Sequence, residues 1–388
     1  MKIALDVQPL LHPNKSGISY STQLIIESML RQGRDLEFYM NFFCLRNKKE
    51  KIDIIENMFN HTGTAYSVKP CAYFSSGVYK RICSFIPIPY HLFCNTKADI
   101  YHFFNFIAPP CVQGKVVLSV HDMVYKDHPE TTNNTVKFLL NANMEKSLKR
   151  ADIIVVGSEF TRKRLHHYFN IKQKRVEIIP NGVDFSEFNT EVNNKTLETV
   201  KKKYNISGEY FLYIGTVEPR KNLERLIYAY AQFAEKNANP PALVIGGAKG
   251  WLTEKIYSAC KTVEVLERGE VIFTGYLPRE EIPVLMHGAM AFCFPSIYEG
   301  FGIPVLEAMA CGTPVITANV SSLPEVAGDA AYYVDPFDIK DISGGLDKVY
   351  KNSGLRREMS QKGIKHSKNF SWDIAAKKLI DLYSEAVK

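Results

Sequence analysis

Residues 291–317 read AFCFPSIYEGFGIPVLEAMACGTPVIT, and this stretch decides the fold. The apolar run AFCFPS (291–296) has strand length and no polar alternation. A loop with two glycines follows, then a helical pattern over 303–311, then a second apolar run, PVIT (314–317). Apolar strands without alternation, joined by a helix, suit a parallel sheet covered on both faces. Pro304 suits the first helical position, where its missing N–H is harmless. Gly312 suits the position after the helix, and Pro314 stops continuation. Gly300 and Gly302 let the backbone approach a ligand just before the helix. Free N–H groups and the positive dipole end at that point favour an anion, phosphate best of all.

The same alternation runs outward in both directions. The first half offers KIALDV (2–7), LEFYMNFF (36–43), DIYHFF (99–104), KVVLSV (115–120), DIIVVG (152–157) and VEIIP (176–180), with helical patterns at 18–32 and 135–150. The second half adds YFLYIG (210–215), ALVIGG (242–247) and VIFTG (271–275), separated by helical patterns at 222–238, 252–267 and 280–288. Two successive arrays predict an α/β chain of two doubly wound domains. Each would present its strand C-terminal ends to a crevice, and the two together would face a central cleft. The polar stretch 186–207, rich in Asn, Lys, Thr and Glu, reads as a linker between domains over 1–185 and 208–371.

Composition agrees with this reading. The chain has 388 residues, enough for two cores, and is 46% hydrophobic and 23% charged, which excludes large-scale disorder. The longest stretches without Asp, Glu, Lys or Arg, 282–298 and 308–324, contain Pro and fall short of the ~20 apolar residues of a spanning helix. Asp6 interrupts the first apolar run and no small-residue cleavage site follows, so the start reads as a buried strand rather than a signal peptide. Net charge is +7: residues 1–190 carry 24 Lys and Arg against 17 Asp and Glu, whereas 191–388 carry 24 of each. The basic excess fits a solvated surface, an anionic membrane or a phosphorylated acceptor. No nucleic-acid-binding motif accompanies it, so no nucleic-acid partner is expected. The eight cysteines form neither Cys-x-x-Cys nor a zinc-spaced cluster and read as free thiols in a reducing cytosol.

Two segments carry candidate chemistry. Glu299 stands before the anion site, and Glu307 about one turn inside the helix. Eight residues of helical rise span roughly 12 Å, beyond the about 5–9.5 Å of glycosidase carboxylate pairs. That spacing suits two hydroxyl-binding carboxylates with a diphosphate between them, the layout of a nucleotide sugar. In GTVEPRKNLERL (215–226), Arg220 and Lys221 fall at a strand's C-terminal end, where fixed cations can neutralise a leaving diphosphate. Removing one such group from a dry site costs on the order of 3–4 kcal/mol of barrier. Asn222 can cap the following helix, or Glu218 and Pro219 can open it. Each of these residues also has a plain alternative as a solvated or capping side chain. The segment 73–93, with Lys80 and Arg81 among aromatics, fits either packing on the N-terminal core or contact with anionic lipid.

Together, Glu-x7-Glu within YEGFGIPVLEAMACGTPVI and the segment GTVEPRKN resemble the retaining nucleotide-sugar glycosyltransferases of family 4 (group 1), of mannosyltransferase type. That family has the GT-B fold, two Rossmann-like domains facing a central cleft. The resemblance spans most of 208–388, including GYLPREEIPVLMHGA, SSLPEVAGDAAYYVDPFD and FSWDIAAKKLIDLY. It is thinner before that, resting on NKSGISYST, VHDMVY and IPNGVD. It implies that the last helix, 372–388, joins the N-terminal domain. It also implies that Glu299 holds donor-sugar hydroxyls, Glu307 the ribose, and Arg220 and Lys221 the diphosphate. The backbone at Phe301, Gly302 and Ile303 would approach sugar and phosphate, and Gly17 would lie near the donor phosphates. His121 would stabilise charge near the reacting carbon, and Gly246, Gly247, Tyr276 and Leu277 would lie near the base. Thr216 and Ser19 depart from basic residues common at those places in relatives.

The resemblance implies a cytoplasmic enzyme at the inner membrane face that moves a hexose, mannose from GDP-mannose, to a glycan or lipid-diphosphate-linked hydroxyl. No Asp-x-Asp is present, so neither metal nor other cofactor is expected. UDP- or dTDP-sugar transfer, nucleotide-sugar epimerisation, phosphorolysis and a non-catalytic binding role are the alternatives.

Overall fold

In the computed structural model every strand pairing among the described residues is parallel. The described residues are 1–12, 16–73, 75–82, 86, 88–264 and 269–388. They form two compact units, one of residues 1–123, 134–182 and 372–388, the other of 124–133 and 183–371.

The first unit holds Lys2–Asp6 (β1), Glu37–Phe43 (β2), Tyr66–Cys71 (β3), Ile100–Phe103 (β4), Lys115–Val120 (β5), Ile153–Val156 (β6) and Arg175–Ile178 (β7), ordered β3-β2-β1-β4-β5-β6-β7. Ile3, Leu5, Ile100, Val117, Leu118 and Ile154 are wholly buried at its centre. The helix Gly17–Gln32 follows β1 and begins with a capping box: Ser16 Oγ accepts from the Ser19 amide, and Ser19 Oγ from the Ser16 amide. Ser19 therefore has a local structural task. The last helix, Trp372–Val387, belongs to this unit. Its buried side chains, Trp372, Ala375, Ala376, Leu379, Leu382 and Tyr383, repeat with helical period along one face. That helix packs on Gly17–Gln32, where Asp373 accepts hydrogen bonds from Ser28 and Gln32.

The second unit holds Tyr210–Ile214 (β8), Ala242–Gly246 (β9), Val271–Gly275 (β10), Ala291–Phe294 (β11), Val315–Ala318 (β12) and Ala331–Val334 (β13), ordered β10-β9-β8-β11-β12-β13. Strands β8, β9, β11 and β12 are buried along their whole length, which explains their unbroken apolar sequences. Residues 186–207, read from sequence as a linker, are part of this unit. Phe188, Val200 and Ile206 lie in its core, and Asn194–Lys203 is helical. Residues 124–133 also join it, where the Trp251 indole donates to the Thr131 carbonyl.

The strand order fixes where a ligand belongs. In each sheet the order reverses once, at β1/β4 and at β8/β11. At such a switch point the two flanking connections leave in opposite directions and open a crevice at the strand C-termini. The connection after β11 holds the two-glycine loop with Glu299 and the helix Ile303–Ala310, and the one after β8 carries Arg220 and Lys221.

Candidate active site

At the C-terminal end of β8 the chain makes a short 3-10 turn, Pro219–Lys221, and then Asn222 in left-handed conformation (φ 62°) before the helix Leu223–Lys236. Asn222 does not cap that helix with its side chain. Its amide donates to the carbonyls of Pro295 (3.0 Å) and Pro336 (2.6 Å), and its oxygen accepts from Arg225. It thereby staples the loops after β8, β11 and β13 together, and the Ile297 amide donating to the Arg220 carbonyl adds a second tie.

This stapling brings four charged side chains into one buried cluster. Lys221 Nζ donates to Glu299 Oε1 at 2.6 Å, and Arg220 Nη1 to Glu299 Oε2 at 2.7 Å. Arg220 also donates from Nε and Nη2 to Glu218 Oε1, and from Nη1 to the Tyr298 carbonyl. Glu218, Lys221 and Glu299 are all buried. Two carboxylates thus balance two cations. Burial works to raise the Glu299 pKa, but the charges of Arg220 and Lys221 and their hydrogen bonds override it and hold it at about 2. Burial, reinforced by neighbouring Arg220, lowers the Lys221 pKa. The sequence reading gave Glu299 to a sugar and the cations to a diphosphate as separate functions. The structure joins them in direct ion pairs.

The loop carrying Glu299 is held from a third connection. Ser321 Oγ accepts from the Glu299 amide, and Ser322 Oγ donates to the carbonyls of Glu299 and Phe301. Sequence reading singled out neither serine; their position just beyond β12 was the available signal. Phe301 is buried, with its ring against Phe370. Gly302 is the N-cap of the helix Ile303–Ala310 with φ 107°, and a Cβ there would lie 2.8 Å from Leu323 Cδ2. Pro304 occupies the second helical position rather than the first, equally without penalty because that N–H also lacks an intrahelical partner. At the other end the Gly312 amide donates to Met309 and the Thr313 amide to Ala308, the paired bonds of a Schellman stop.

Glu307 has a different partner. Arg279 Nη2 lies 3.7 Å from Glu307 Oε1, while Arg279 Nε donates to Glu187 Oε2 at 2.6 Å and its guanidinium covers the Phe188 ring. Burial raises the Glu307 pKa to about 7, with Arg279 opposing and Glu187 and Asp184 assisting. Arg279 and Glu187, which sequence reading passes over, thus surround the candidate residue Glu307.

Gly246 ends β9 and Gly247 follows it. The Gly215 amide donates to Gly246 and the Gly247 amide to Gly275. Gly247 has φ 146°, and a Cβ there would sit 1.9 Å from the Gly215 carbonyl oxygen, so no other residue fits. Leu277 is buried against Gly246, whereas Tyr276 is 68% exposed and offers its ring to solvent.

The first unit carries the other two candidates. Gly17 is the exposed first residue of its helix. His121 follows β5, and its Nε2–H donates to the Phe104 carbonyl at 2.6 Å. The edge of the Phe106 ring lies against it, with centroids 5.3 Å apart. Burial lowers the His121 pKa, opposed by the Phe104 bond and by Asp122. With Nε2 protonated, Nδ1 is left as an acceptor. The side chains of Lys80 and Arg81, together with residues 13–15, 74, 83–85 and 87, lie outside the described residues. The seven described cysteines are free thiols. No helix among the described residues is long and apolar enough to cross a membrane.

The geometry thus gives two doubly wound parallel sheets and, at the switch point of the second, paired carboxylates and cations. Comparison with known proteins supplies the family. Residues 196–366 match the model of glycosyl transferases group 1, and residues 16–187 that of glycosyltransferase family 4. The O-antigen chain mannosyltransferase B of Escherichia coli is 32% identical over 292 residues, covering 74% of each chain. The serotype-specific mannosyltransferase WbdA of E. coli is 31% identical over 265 residues, covering 67% of this chain and 32% of that longer protein. Among solved structures, sucrose-phosphate synthase from Thermosynechococcus elongatus superposes with a TM-score of 0.71 at 17% identity, covering 99% of this chain and 98% of that one. The chain belongs to the group 1, family 4 glycosyltransferases and has the GT-B fold.

Proposed function

We propose that this glycosyltransferase is a retaining, metal-independent mannosyltransferase that uses GDP-mannose and extends a glycan or lipid-diphosphate-linked acceptor in surface polysaccharide synthesis. The observation that carries the reading is the buried Glu218–Arg220–Glu299–Lys221 cluster at the β8/β11 switch point, whose Glu299 stands four residues before the first residue of a glycine-capped helix. Lys221 spends one of its three donors on Glu299 and can turn the others to a phosphate. With the helix N-terminus it supplies the positive charge that a metal gives elsewhere. The mannosyl specificity and the polysaccharide context rest on the names of the E. coli relatives. No organic cofactor is assigned.

In the proposed reaction the bond between sugar C1 and the diphosphate oxygen breaks, and its electron pair stays on the diphosphate. The acceptor oxygen attacks C1 from the same face, and its proton passes to the departing phosphate oxygen. No protein nucleophile is required. Arg220 and Lys221 stabilise the leaving charge, and Glu299 orients sugar hydroxyls. Glu307 holds the ribose and Tyr276 lies near the base, with Gly246, Gly247 and Leu277 shaping that region. The backbone of Phe301, Gly302 and Ile303 meets sugar and phosphate. On the first unit, Gly17 lies near the phosphates, and His121 stabilises positive charge near C1. The basic excess of residues 1–190 supports a peripheral position on the inner membrane face.

Thermal shift against GDP, UDP, dTDP and ADP, with and without magnesium, tests the donor. Ligand at about 100 times Kd adds roughly 2.7 kcal/mol, a rise of a few degrees. A selective response to GDP, followed by α-linked product from GDP-mannose in EDTA, is the expected result. A selective response to UDP or dTDP replaces the donor, and a requirement for magnesium or manganese overturns metal independence.

A further inference from the structure

Behind His121 lies a buried polar chain that the transfer reaction does not directly use. His102, in β4, is wholly enclosed and hydrogen-bonded through both ring nitrogens. Nδ1 pairs with the hydroxyl of Tyr383 on the last helix, and Nε2 with Ser119 Oγ of β5 at 2.8 Å. Burial, with a smaller contribution from nearby His121, lowers the His102 pKa to about 3, so the ring stays neutral. A neutral ring held at both nitrogens has a fixed plane.

That plane bears on His121. The His102 ring stacks on Phe104 with centroids 3.9 Å apart and 28° between planes. The Phe104 carbonyl is the acceptor of His121 Nε2–H. Two residues on, the Phe106 amide donates to the Ser119 carbonyl, and the Phe106 ring packs edge-on against His121. Phe106 has φ 55°, a conformation an aromatic residue keeps only where its surroundings impose it. Both contacts that orient His121 thus come from residues 104–106, and that short loop is braced by His102 and Ser119.

We infer that Tyr383, on the last helix, is a positioning residue for His121, acting through His102 and the loop 104–106. It fixes the His102 ring, the ring fixes Phe104, and the Phe104 carbonyl selects the His121 tautomer. A 2.6 Å hydrogen bond depends steeply on direction, so a small tilt of Phe104 releases the ring. The consequence for turnover rests on the role proposed for His121; the effect on the ring itself does not.

The test is Tyr383→Phe in the full chain, which keeps the aromatic ring and removes the hydroxyl. The readout is the 1H–15N correlation spectrum of the histidine rings with 15N-histidine labelling. The expected result is a shift of His121 from the Nε2-protonated tautomer toward a mixture. Alongside it kcat should fall roughly tenfold, with donor KM changed less than about twofold. Asp373→Asn is the control. It weakens the same helix at its carboxylate contact with Ser28 and leaves His102 untouched, so the His121 signals should stay in place. His121 signals unmoved in Tyr383→Phe, or moved equally in Asp373→Asn, overturn the inference. If Tyr383→Phe shifts the ring while His121→Ala turns over normally, the positioning stands and the proposed role of His121 falls.

Discussion

Replacing Glu299 by Gln removes one charge from a cluster whose four charges balance. Glu299 is 7% exposed and accepts from two different cations at 2.6 and 2.7 Å. Its pKa is held at about 2, against 4.5 for an ordinary Glu. At about 1.4 kcal/mol per pKa unit, that difference makes the ionised form worth about 3 kcal/mol to the folded protein at pH 7. Breaking a buried pair at one end costs a similar about 3–5 kcal/mol, because the other charge stays buried. The two routes agree. In a unit of this size about 3 kcal/mol lowers the unfolding midpoint by roughly 6–12 °C. The pH dependence tests the cause. A carboxylate with a depressed pKa stabilises fully above its unfolded value, and the benefit fades as pH falls through the folded value. The Glu299 contribution should therefore be complete at pH 7, shrink to about 1 kcal/mol at pH 3, and vanish below pH 2. Urea unfolding of the two proteins at pH 7 and pH 3 measures it. A gap as large at pH 3 as at pH 7 would mean that lost shape or hydrogen bonding, not charge, sets the cost.

Three further outcomes follow from the same geometry. Burial holds the Glu307 pKa near 7, so if its carboxylate binds the ribose, nucleotide affinity should rise between pH 6 and pH 8. Calorimetric titration should show that rise flattened in Glu307→Gln, and Arg279→Gln should push it to higher pH by removing the opposing charge. In Gly247→Ala the new methyl falls 1.9 Å from the Gly215 carbonyl at φ 146°, so a loss of at least about 3 kcal/mol, read as insolubility or a collapsed melting transition, is expected. Asn222→Gly keeps the left-handed backbone but strips donors from Pro295 and Pro336, and should cost about 2–4 kcal/mol in urea unfolding; a neutral result would show that the staple is dispensable.

Every central strand was legible in the sequence, and of the four edge strands β7 and β10 were legible while β3 and β13 were not. The wholly buried β8, β9, β11 and β12 are continuous apolar runs, and these were legible. The strands left unread, β3 and β13, are edge strands with partly exposed side chains. β3 even carries Pro70, which an edge tolerates because one side of its backbone needs no partner. The supposed linker 186–207 misled for a related reason. Its surface is polar, but single residues such as Phe188 anchor it, and one buried aromatic does not make a periodic pattern.

The site was legible in its residue types but not in its connections. Glu299, Arg220 and Lys221 stand out by spacing along the chain, and spacing says nothing of what meets at a sequence separation of 78. Parallel sheet topology makes that meeting possible. Because β8 and β11 are neighbours, the loops at their C-terminal ends start side by side before the connections diverge, and Asn222 and the Ile297 amide lock that contact. The neutrality of the resulting cluster has a chemical use. A bare pair of buried cations would carry a large desolvation cost before any ligand arrived. Pairing them with Glu218 and Glu299 lets them remain charged in a dry crevice and keeps their geometry fixed. In the proposed reaction an incoming diphosphate would then meet prearranged donors whose charge need not be created on binding, the condition under which electrostatic stabilisation of a leaving group is largest. The Glu299→Gln experiment therefore bears on more than stability. Without that carboxylate, burial and the neighbouring Arg220 would drive Lys221 toward its neutral form, and the loss of a cation would weaken diphosphate binding as well as the fold.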